Sequence, residues 1–376
     1  MYALTHCTVY TGDRQCSEGA LLIDGNSIVD WMAVSELPSQ IEVIDLAGHN
    51  VAPGFIDMQI NGCGGVMFND AITAETLDIM HQTNLKSGTT SYLPTLITTS
   101  DQDMLTAIEV VQAYRQRHAS SVLGLHLEGP YLNPKRKGIH NAAYIRQPDR
   151  AMLKKIAASP DGVRMMTLAP ERVQPEEIQR LAEQGILVSA GHTDATYEEA
   201  IAGFDAGVRM VTHLFNAMSP WQGRNPGMVA ATLDREDVYA GIIADGQHVH
   251  AASIRLVQQI KQNKLILVTD ATPPVGTSIT SFQIGGQQVF YKDGKCISAD
   301  GTLGGSALTL IEAVAYCVRQ VGIPLAEALR MASTYPATLM GLKLGRIAPG
   351  YLANLVIFDR DFQIIAMIDQ GKYIRF

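Results

Sequence analysis

Short, unbroken apolar runs alternate with stretches of helical periodicity through the middle of the chain. Buried parallel strands read as continuous Val/Ile/Leu runs, whereas helices repeat apolar residues at three- and four-residue spacing. The runs predict strands at residues 54–59, 90–94, 122–128, 163–168, 186–190, 209–213, 239–244 and 265–270. The spacing predicts helices between them, for example at residues 74–87, 103–117, 175–184, 197–206 and 251–262. These βα units favour an α/β fold built on a closed (β/α)8, TIM-like barrel over an open doubly wound sheet.

The two ends of the chain have a different pattern. Residues 1–52 alternate apolar and polar positions between turn signals such as Asp24-Gly25-Asn26, and residues 345–376 hold further short apolar runs. Each block is too small to fold alone, so we expect both termini to form one small β-sandwich domain beside a barrel of residues 53–344. Within the barrel region, residues 281–297 predict a β-hairpin with its turn at Asp293-Gly294.

Four predicted strands end in a residue that can bind a metal or transfer a proton. Glu128, His192, His213 and Asp270 each follow an apolar run, so they would meet at the barrel rim that carries active sites. Glu128, His192 and His213 form an N,N,O ligand set suited to one tetrahedral divalent metal with an open position. Asp270 then remains free to transfer protons. His126 shares a face with Glu128, and we expect it to support the site or belong to the core rather than to bind the metal.

Further polar residues on the same rim complete the candidate site. The first strand directs Gln59 and Asn61 inward, where amides are poor zinc ligands and are expected to hydrogen-bond to substrate or water. Ile139 and His140, on the loop after the third strand, and His248, after the seventh, are expected to contact substrate. Either histidine would donate a hydrogen bond to a carbonyl or a sugar hydroxyl.

Composition and charge exclude several classes of protein. Hydrophobic residues make up 47% and charged residues 18% of the chain, and no apolar run reaches the ~18 residues of a membrane helix. The start of the chain lacks the features of an export signal, so we expect a cytoplasmic protein. The formal net charge of -8 argues against nucleic-acid binding. The five cysteines form no CxxC pair, which predicts free thiols.

An anionic substrate would need local positive charge. The run Lys135-Arg136-Lys137 and the isolated Arg224 are the candidates, and a planar guanidinium suits bidentate phosphate binding. The length of the loop that carries Arg224 leaves open whether it serves its own site or a neighbouring subunit's. The glycine-rich loop 301–306 can present N–H groups to an anion, or serve only as a flexible entry to a helix.

Six motifs resemble the amidohydrolase superfamily and, within it, the N-acetylglucosamine-6-phosphate deacetylase family. They are Pro53-Gly54-Phe55-Ile56-Asp57-Met58-Gln59-Ile60-Asn61-Gly62, His126-Leu127-Glu128-Gly129-Pro130, Ser189-Ala190-Gly191-His192-Thr193, Thr212-His213-Leu214-Phe215-Asn216-Ala217-Met218, Ala244-Asp245-Gly246-Gln247-His248 and Val268-Thr269-Asp270-Ala271-Thr272. They appear in order along the chain, so the resemblance covers essentially its whole length. Many superfamily members carry His-x-His at the end of the first strand, whereas this chain has Gln59-x-Asn61, which favours one metal over two.

The resemblance implies hydrolysis of the N-acetyl group of an amino-sugar phosphate. It implies that Glu128, His192 and His213 bind the metal. The N,N,O set itself favours Zn²⁺ and also accepts Fe²⁺, Mn²⁺ or Co²⁺. By the same resemblance, Asp270 is the general acid and base. The residues that would contact the substrate are His140, Asn216, Ala217, His248, Leu303 and Gly304. Arg224 would come from the partner subunit, which implies a homodimer.

Two other readings of the same residues stay open at this point. The first is an enzyme with another substrate, either a different N-acyl amino-sugar phosphate or a cyclic amide. Cyclic amidohydrolases usually bridge two metals with a modified lysine and a histidine pair, and neither is evident here. The second is a non-catalytic barrel that acts as an assembly scaffold, but such proteins typically lose a metal ligand or the acid, and all four residues are present.

Overall fold

The computed structural model describes residues 1–376, and its centre is a barrel of eight parallel strands. Neighbouring strands pair in the order in which they occur along the chain. Backbone hydrogen bonds join the ends of the first and last strands, from Asp270 N to Gln59 O and from Asn61 N to Ala271 O, both 2.9 Å long. The predicted α/β barrel is therefore confirmed. Its strands are Phe55–Ile60, Thr89–Ile97, Leu125–Glu128, Val163–Leu168, Leu187–Ala190, Met210–Val211, Tyr239–Ile242 and Leu265–Leu267.

Helices surround the barrel and bury the outer faces of its strands in one large apolar core. Several begin at a side-chain cap; Thr196 and Glu199, for example, form a reciprocal capping box at the start of Tyr197–Ala206. The helices between the strands are Ala74–Leu85, Asp101–His118, Arg150–Ala157, Pro175–Glu183, Tyr197–Ala206, Gly227–Asp234 and Ala251–Lys261. Three more follow the last strand, Leu310–Tyr316 with a π-helical extension Cys317–Val321, Leu325–Ala332 and Thr334–Leu339.

Both termini contribute to a separate pair of sheets, as expected. Val51, near the start of the barrel, pairs with Ile357 from the C-terminal segment. Side chains such as Leu4, Ile23 and Leu355 fill the space between the two sheets and form a second apolar core. The boundaries after residues 52 and 344 stay a prediction. The strands are Ser27–Met32, Ala20–Asp24, Tyr2–Thr5 and Glu42–Asp45 in one sheet, and Lys372–Arg375, Ile364–Asp369, Leu355–Phe358, Asn50–Pro53, Thr8–Tyr10 and Gln15–Cys16 in the other.

An insertion after the last barrel strand forms a small sheet of three strands, not the two of the predicted hairpin. The strands are Ser281–Ile284, Gln287–Lys292 and Lys295–Ser298. The additional turn is Gly285-Gly286, where both residues have positive φ. Phe282, Ile284 and Val289 of this sheet pack with Ile97 and Ile139 beside the barrel rim. The insertion thus covers one side of the loop that carries Ile139 and His140.

Two features of the composition have structural counterparts. No helix combines the length and apolar character needed to cross a membrane. All five cysteines are free, and four of them are buried. The free thiols agree with the prediction made from their spacing.

The contact between the insertion and the rim loop can be tested with a pair of glycine variants. A Cβ at Gly285 would lie 2.1 Å from the carbonyl oxygen of Ile139, whereas a Cβ at Gly294 would meet nothing within 4 Å. Both glycines have positive φ, 59° and 77°, so alanine introduces comparable backbone strain at each. We expect Gly285→Ala to be less stable than Gly294→Ala by about 1–3 kcal/mol in urea unfolding. Equal stabilities would show that the turn does not pack against the loop.

Candidate active site

Three side chains from three strands bring their ligand atoms together at the carboxyl end of the barrel. Glu128 Oε1 lies 3.2 Å from His192 Nε2 and 3.1 Å from His213 Nε2, and the two imidazole nitrogens are 3.1 Å apart. All three residues are buried. Ligand atoms bound at about 2.0–2.2 Å to one tetrahedral ion lie roughly 3.3–3.6 Å from each other, so this triangle is close to the size of a metal site.

The protonation of His192 shows that the triangle favours a cation. Its Nδ1 lies 2.9 Å from the carbonyl oxygen of Arg136, an atom that can only accept, so Nδ1 carries a proton. In the neutral ring Nε2 then carries a lone pair, which faces the Glu128 carboxylate and His213. Electron-rich atoms at this spacing repel each other unless a positive charge lies among them. The donor set therefore fits a divalent metal.

The backbone turns sharply where these strands deliver their side chains. His192, His213 and Asp270 have φ of 49°, 33° and 52°, in the left-handed region that residues other than glycine rarely adopt. Such conformations persist where the surrounding structure enforces them, and they cluster at functional sites. Three of the four residues singled out at strand ends are held in this way.

The loop after His192 is fixed by charged side chains. The Glu171 carboxylate accepts hydrogen bonds from Thr193 Oγ1 at 2.5 Å and from the Asp194 backbone N at 2.8 Å. The Arg136 guanidinium pairs with Asp194 Oδ1 at 2.8 Å, while the Arg136 carbonyl accepts from His192. The sequence did not indicate Glu171, because only the folded barrel places it beside this loop.

Asp270 lies next to the triangle and is oriented by the two amides of the first strand. Its Oδ1 accepts from Asn61 Nδ2 at 2.7 Å and from Gln59 Nε2 at 3.1 Å. Gln59 Nε2 also donates to Glu128 Oε1, again at 3.1 Å. No protein group hydrogen-bonds to Asp270 Oδ2, so this oxygen is available to a ligand. In this structure the two amides thus bind the carboxylates, and their predicted contact with substrate stays a prediction.

Burial and neighbouring charge move the two carboxyl pKa values in opposite directions. Burial favours a raised pKa for Glu128, but His192 and His213, which donate to the carboxylate when their rings are protonated, outweigh it and hold the pKa well below the ordinary value. Burial, together with the Glu128 charge, raises the pKa of Asp270 to about 6. A carboxyl group whose pKa lies near neutral pH is suited to taking and returning a proton, whereas one with a low pKa stays ionised and is suited to binding a cation.

The two predicted substrate histidines also lie at this rim. His140 is buried, with Nε2 3.9 Å from Glu128 Oε2 and Nδ1 2.8 Å from Thr98 Oγ1. The ligand atoms of His140, Glu128 and His192 lie within 4.8 Å of one another, a looser group than the triangle with His213. His248 Nδ1 lies 2.7 Å from Asp245 Oδ2. Asp245 was not predicted, although it stands three residues before His248 in the motif.

A second layer of buried polar groups supports the triangle from inside the barrel. His126 Nδ1 lies 3.0 Å from Thr95 Oγ1, and His126 Nε2 lies 2.7 Å from Thr167 Oγ1. With both ring nitrogens engaged by threonines, His126 has the supporting position that was expected. Asp57, on the first strand, hydrogen-bonds to the Thr269 hydroxyl and backbone N. Burial raises the pKa of Asp57 to about 7.

A cavity of about 440 Å³ opens above these groups. Gln59 is buried against Glu128 and Asp270 and does not itself line the cavity, and Gly304 lies in the backbone between two residues that line it. Arg224 lies outside, exposed, in a neighbouring cavity. Unpredicted residues of the wall include Ile97 and Ile243. The predicted residues that line the cavity are Asn61, Glu128, Ile139, His140, His192, His213, Asn216, Ala217, His248, Asp270 and Leu303.

Comparison with known proteins agrees with this geometry. The model of the amidohydrolase family matches residues 50–374, and that of the NagA composite domain matches residues 1–51. The chain belongs to the amidohydrolase family. Membership in this family implies a divalent metal, in agreement with the donor set of the triangle.

Particular relatives are similar over all or most of the chain. The chain is 42% identical to an N-acetylglucosamine-6-phosphate deacetylase of Haemophilus influenzae over 377 residues, with 99% of each chain covered. It is 38% identical to an N-acetylgalactosamine-6-phosphate deacetylase of Shewanella sp., with 87% of this chain and 84% of the relative covered. The crystal structure of N-acetylglucosamine-6-phosphate deacetylase from Pasteurella multocida superposes with a TM-score of 0.98 at 45% identity, covering all of both chains.

The metal site can be tested by removing one ligand charge. We expect Glu128→Gln to weaken divalent-metal binding by more than about 100-fold, since losing residues that only support a ligand already costs 10–100-fold. Metal content after dialysis against a chelator, measured by elemental analysis, reports the loss. His250→Ala is the matched control, because His250 caps the helix Ala251–Lys261 away from the cavity. Full metal occupancy in Glu128→Gln would rule out the proposed ligand set.

Proposed function

We propose that this protein hydrolyses the N-acetyl group of N-acetylglucosamine 6-phosphate, giving glucosamine 6-phosphate and acetate. The observation that carries the proposal is the juxtaposition of a metal-binding triangle, Glu128, His192 and His213, with the carboxylate of Asp270 on one cavity wall. The full-length similarity to deacetylases of this substrate supports the same conclusion.

The site residues divide the chemistry among them. A divalent metal held by the triangle would supply Lewis acidity, which acidifies water from a pKa of about 15.7 toward ~7 and polarises the amide carbonyl. Asp270, presenting Oδ2, takes a proton from the attacking water and later returns it to the leaving nitrogen. Asn61 and Gln59 hold Asp270 Oδ1 throughout. His140 Nε2 faces the cavity and donates to the oxygen of the acetyl group.

The outer part of the cavity would hold the sugar phosphate. Asn216, Ala217 and His248 line one side, and Leu303 with Gly304 belongs to the glycine-rich loop on the other. Backbone N–H groups and a histidine are suitable donors to a phosphate. Ile139 provides an apolar wall beside this loop. A Cβ placed at Gly304 would lie 3.4 Å from Ile139 Cγ1.

Arg224 is proposed to reach the site of a partner subunit in a homodimer. In its own subunit it is exposed, outside the catalytic cavity and without a hydrogen bond or ion pair to a carboxylate. Trp221 on the same loop is 60% exposed, as an aromatic residue at an interface would be in a single subunit.

We further propose one metal per subunit, most readily Zn²⁺, with Fe²⁺, Mn²⁺ and Co²⁺ as alternatives, and a cytoplasmic location.

A second candidate substrate is the epimer N-acetylgalactosamine 6-phosphate. The similarity to the Shewanella deacetylase favours it, since the chain is 38% identical to that protein. Measuring kcat/KM for both 6-phosphates separates the candidates. A higher value for the galactosamine compound would replace the proposed substrate and leave the chemistry of the site unchanged.

Asp270→Asn tests the proton-transfer role. The amide keeps the shape of the side chain but cannot accept the proton, so we expect kcat for acetate release to fall by about 10²–10⁴-fold. Metal content should stay at the wild-type level, because Asp270 is not part of the triangle. Asp237→Asn, at a carboxylate paired with Arg235 on the surface, should keep full activity. Full turnover by Asp270→Asn would exclude it as the acid and base.

Mixing two impaired variants tests the partner role of Arg224. Arg224→Ala should raise KM for the phosphorylated sugar far more than for the unphosphorylated one, since its proposed contact is the phosphate. In a mixed dimer of Arg224→Ala and Asp270→Asn subunits, one of the two sites would regain every residue. Random mixing at low substrate should therefore restore about a quarter of wild-type activity. If Arg224 served its own site, mixing would restore none.

A further inference from the structure

Thr98 contacts both the third barrel strand, which ends in Glu128, and the predicted substrate histidine His140, although no sequence motif distinguished it. It lies just past the strand Thr89–Ile97 and is 4% exposed. Its hydroxyl oxygen is 2.8 Å from His140 Nδ1 and 3.2 Å from the carbonyl oxygen of Glu128. A hydroxyl has one proton, so it can donate fully to only one of these two atoms.

The surroundings of the other ring nitrogen decide which atom receives the proton. His140 Nε2 faces Glu128 Oε2 at 3.9 Å. If Thr98 donated to the carbonyl, His140 would carry its proton on Nδ1 and would turn a lone pair toward the carboxylate, which is unfavourable. If Thr98 donates to Nδ1, the ring proton is on Nε2 and faces the negative charge.

We propose that Thr98 is a positioning residue that fixes neutral His140 in the tautomer with its proton on Nε2. His140 thereby becomes a hydrogen-bond donor directed into the cavity. This inference rests on the proposed function, in which the oxygen of the acetyl group must receive a hydrogen bond as negative charge develops on it. With the proton on Nδ1, the same ring would present a lone pair to that oxygen and oppose the reaction.

The chain leaves space for this hydroxyl at the residue after Glu128. Gly129 has φ of 91°, and a Cβ there would lie 2.2 Å from Thr98 Oγ1. Any other residue at position 129 would displace the hydroxyl from His140. Thr99, the next residue, bonds instead to Asp103 on the following helix. The two adjacent threonines therefore serve different contacts.

Kinetics of acetate release test the proposal. Thr98→Val keeps the shape but removes the proton, and we expect kcat to fall about 3- to 10-fold, the range of one net hydrogen bond, with KM within about twofold. Thr98→Ser, which restores a hydroxyl, should recover most of kcat. Thr99→Val is the matched control and should keep wild-type kcat. Wild-type kcat in Thr98→Val, or no recovery in Thr98→Ser, would overturn the proposal.

The tautomer itself can be read without turnover. In zinc-loaded protein labelled with ¹⁵N-histidine, protonated and unprotonated ring nitrogens resonate at well-separated frequencies, and His140→Gln identifies the signals of His140. In the wild type we expect the ring proton of His140 on Nε2. In Thr98→Val we expect it to exchange between Nδ1 and Nε2. A proton on Nδ1 in the wild type would overturn the proposal. Wild-type protein could release no acetate while the ring proton of His140 lies on Nε2. In that case the proposed function would fail, and the assignment of Thr98 as the residue that sets the tautomer would stand.

Discussion

The buried carboxylate of Glu128 is the interaction around which the rim of this barrel is arranged. An ionised carboxylate placed in a protein interior is strongly destabilising unless charge or hydrogen bonds compensate it. Here Oε1 meets His192, His213 and Gln59, and Oε2 faces His140. Each of these groups comes from a different strand or loop, so the compensation of one charge fixes several strand ends relative to one another.

The same contacts connect barrel closure to the chemistry. Asp270 N donates to the carbonyl of Gln59, which joins the last strand to the first, while the Gln59 side chain donates to the Asp270 carboxylate. A change in how the barrel closes would therefore move the carboxylate of Asp270, the proposed general base. Positive φ at His192, His213 and Asp270 costs roughly 1–3 kcal/mol per residue, and the large surrounding core compensates that strain.

The sequence predicted the parts of this structure that depend on local pattern. Apolar runs located all eight strands, and a polar residue after an apolar run identified Glu128, His192, His213 and Asp270. Contacts between distant segments carried no such signal. Thr98 and Glu171 contact His140 and Asp194 only because the fold places them there. The third strand of the insertion was missed because the sequence Gly285-Gly286 is compatible with a loop as well as with a turn between two strands.

The amide of Gln59 also explains how two neighbouring carboxylates can have different roles. Its Nε2 donates to Glu128 Oε1 and to Asp270 Oδ1, each at 3.1 Å, so it joins the two acids without adding charge. A second cation in that position would stabilise both anions and lower both pKa values. A neutral donor leaves the pKa of Asp270 raised to about 6, while the histidines hold that of Glu128 low. Glu128 thereby stays ionised, as a ligand of a cation must be, and the pKa of Asp270 stays near neutral pH, as uptake and release of a proton require.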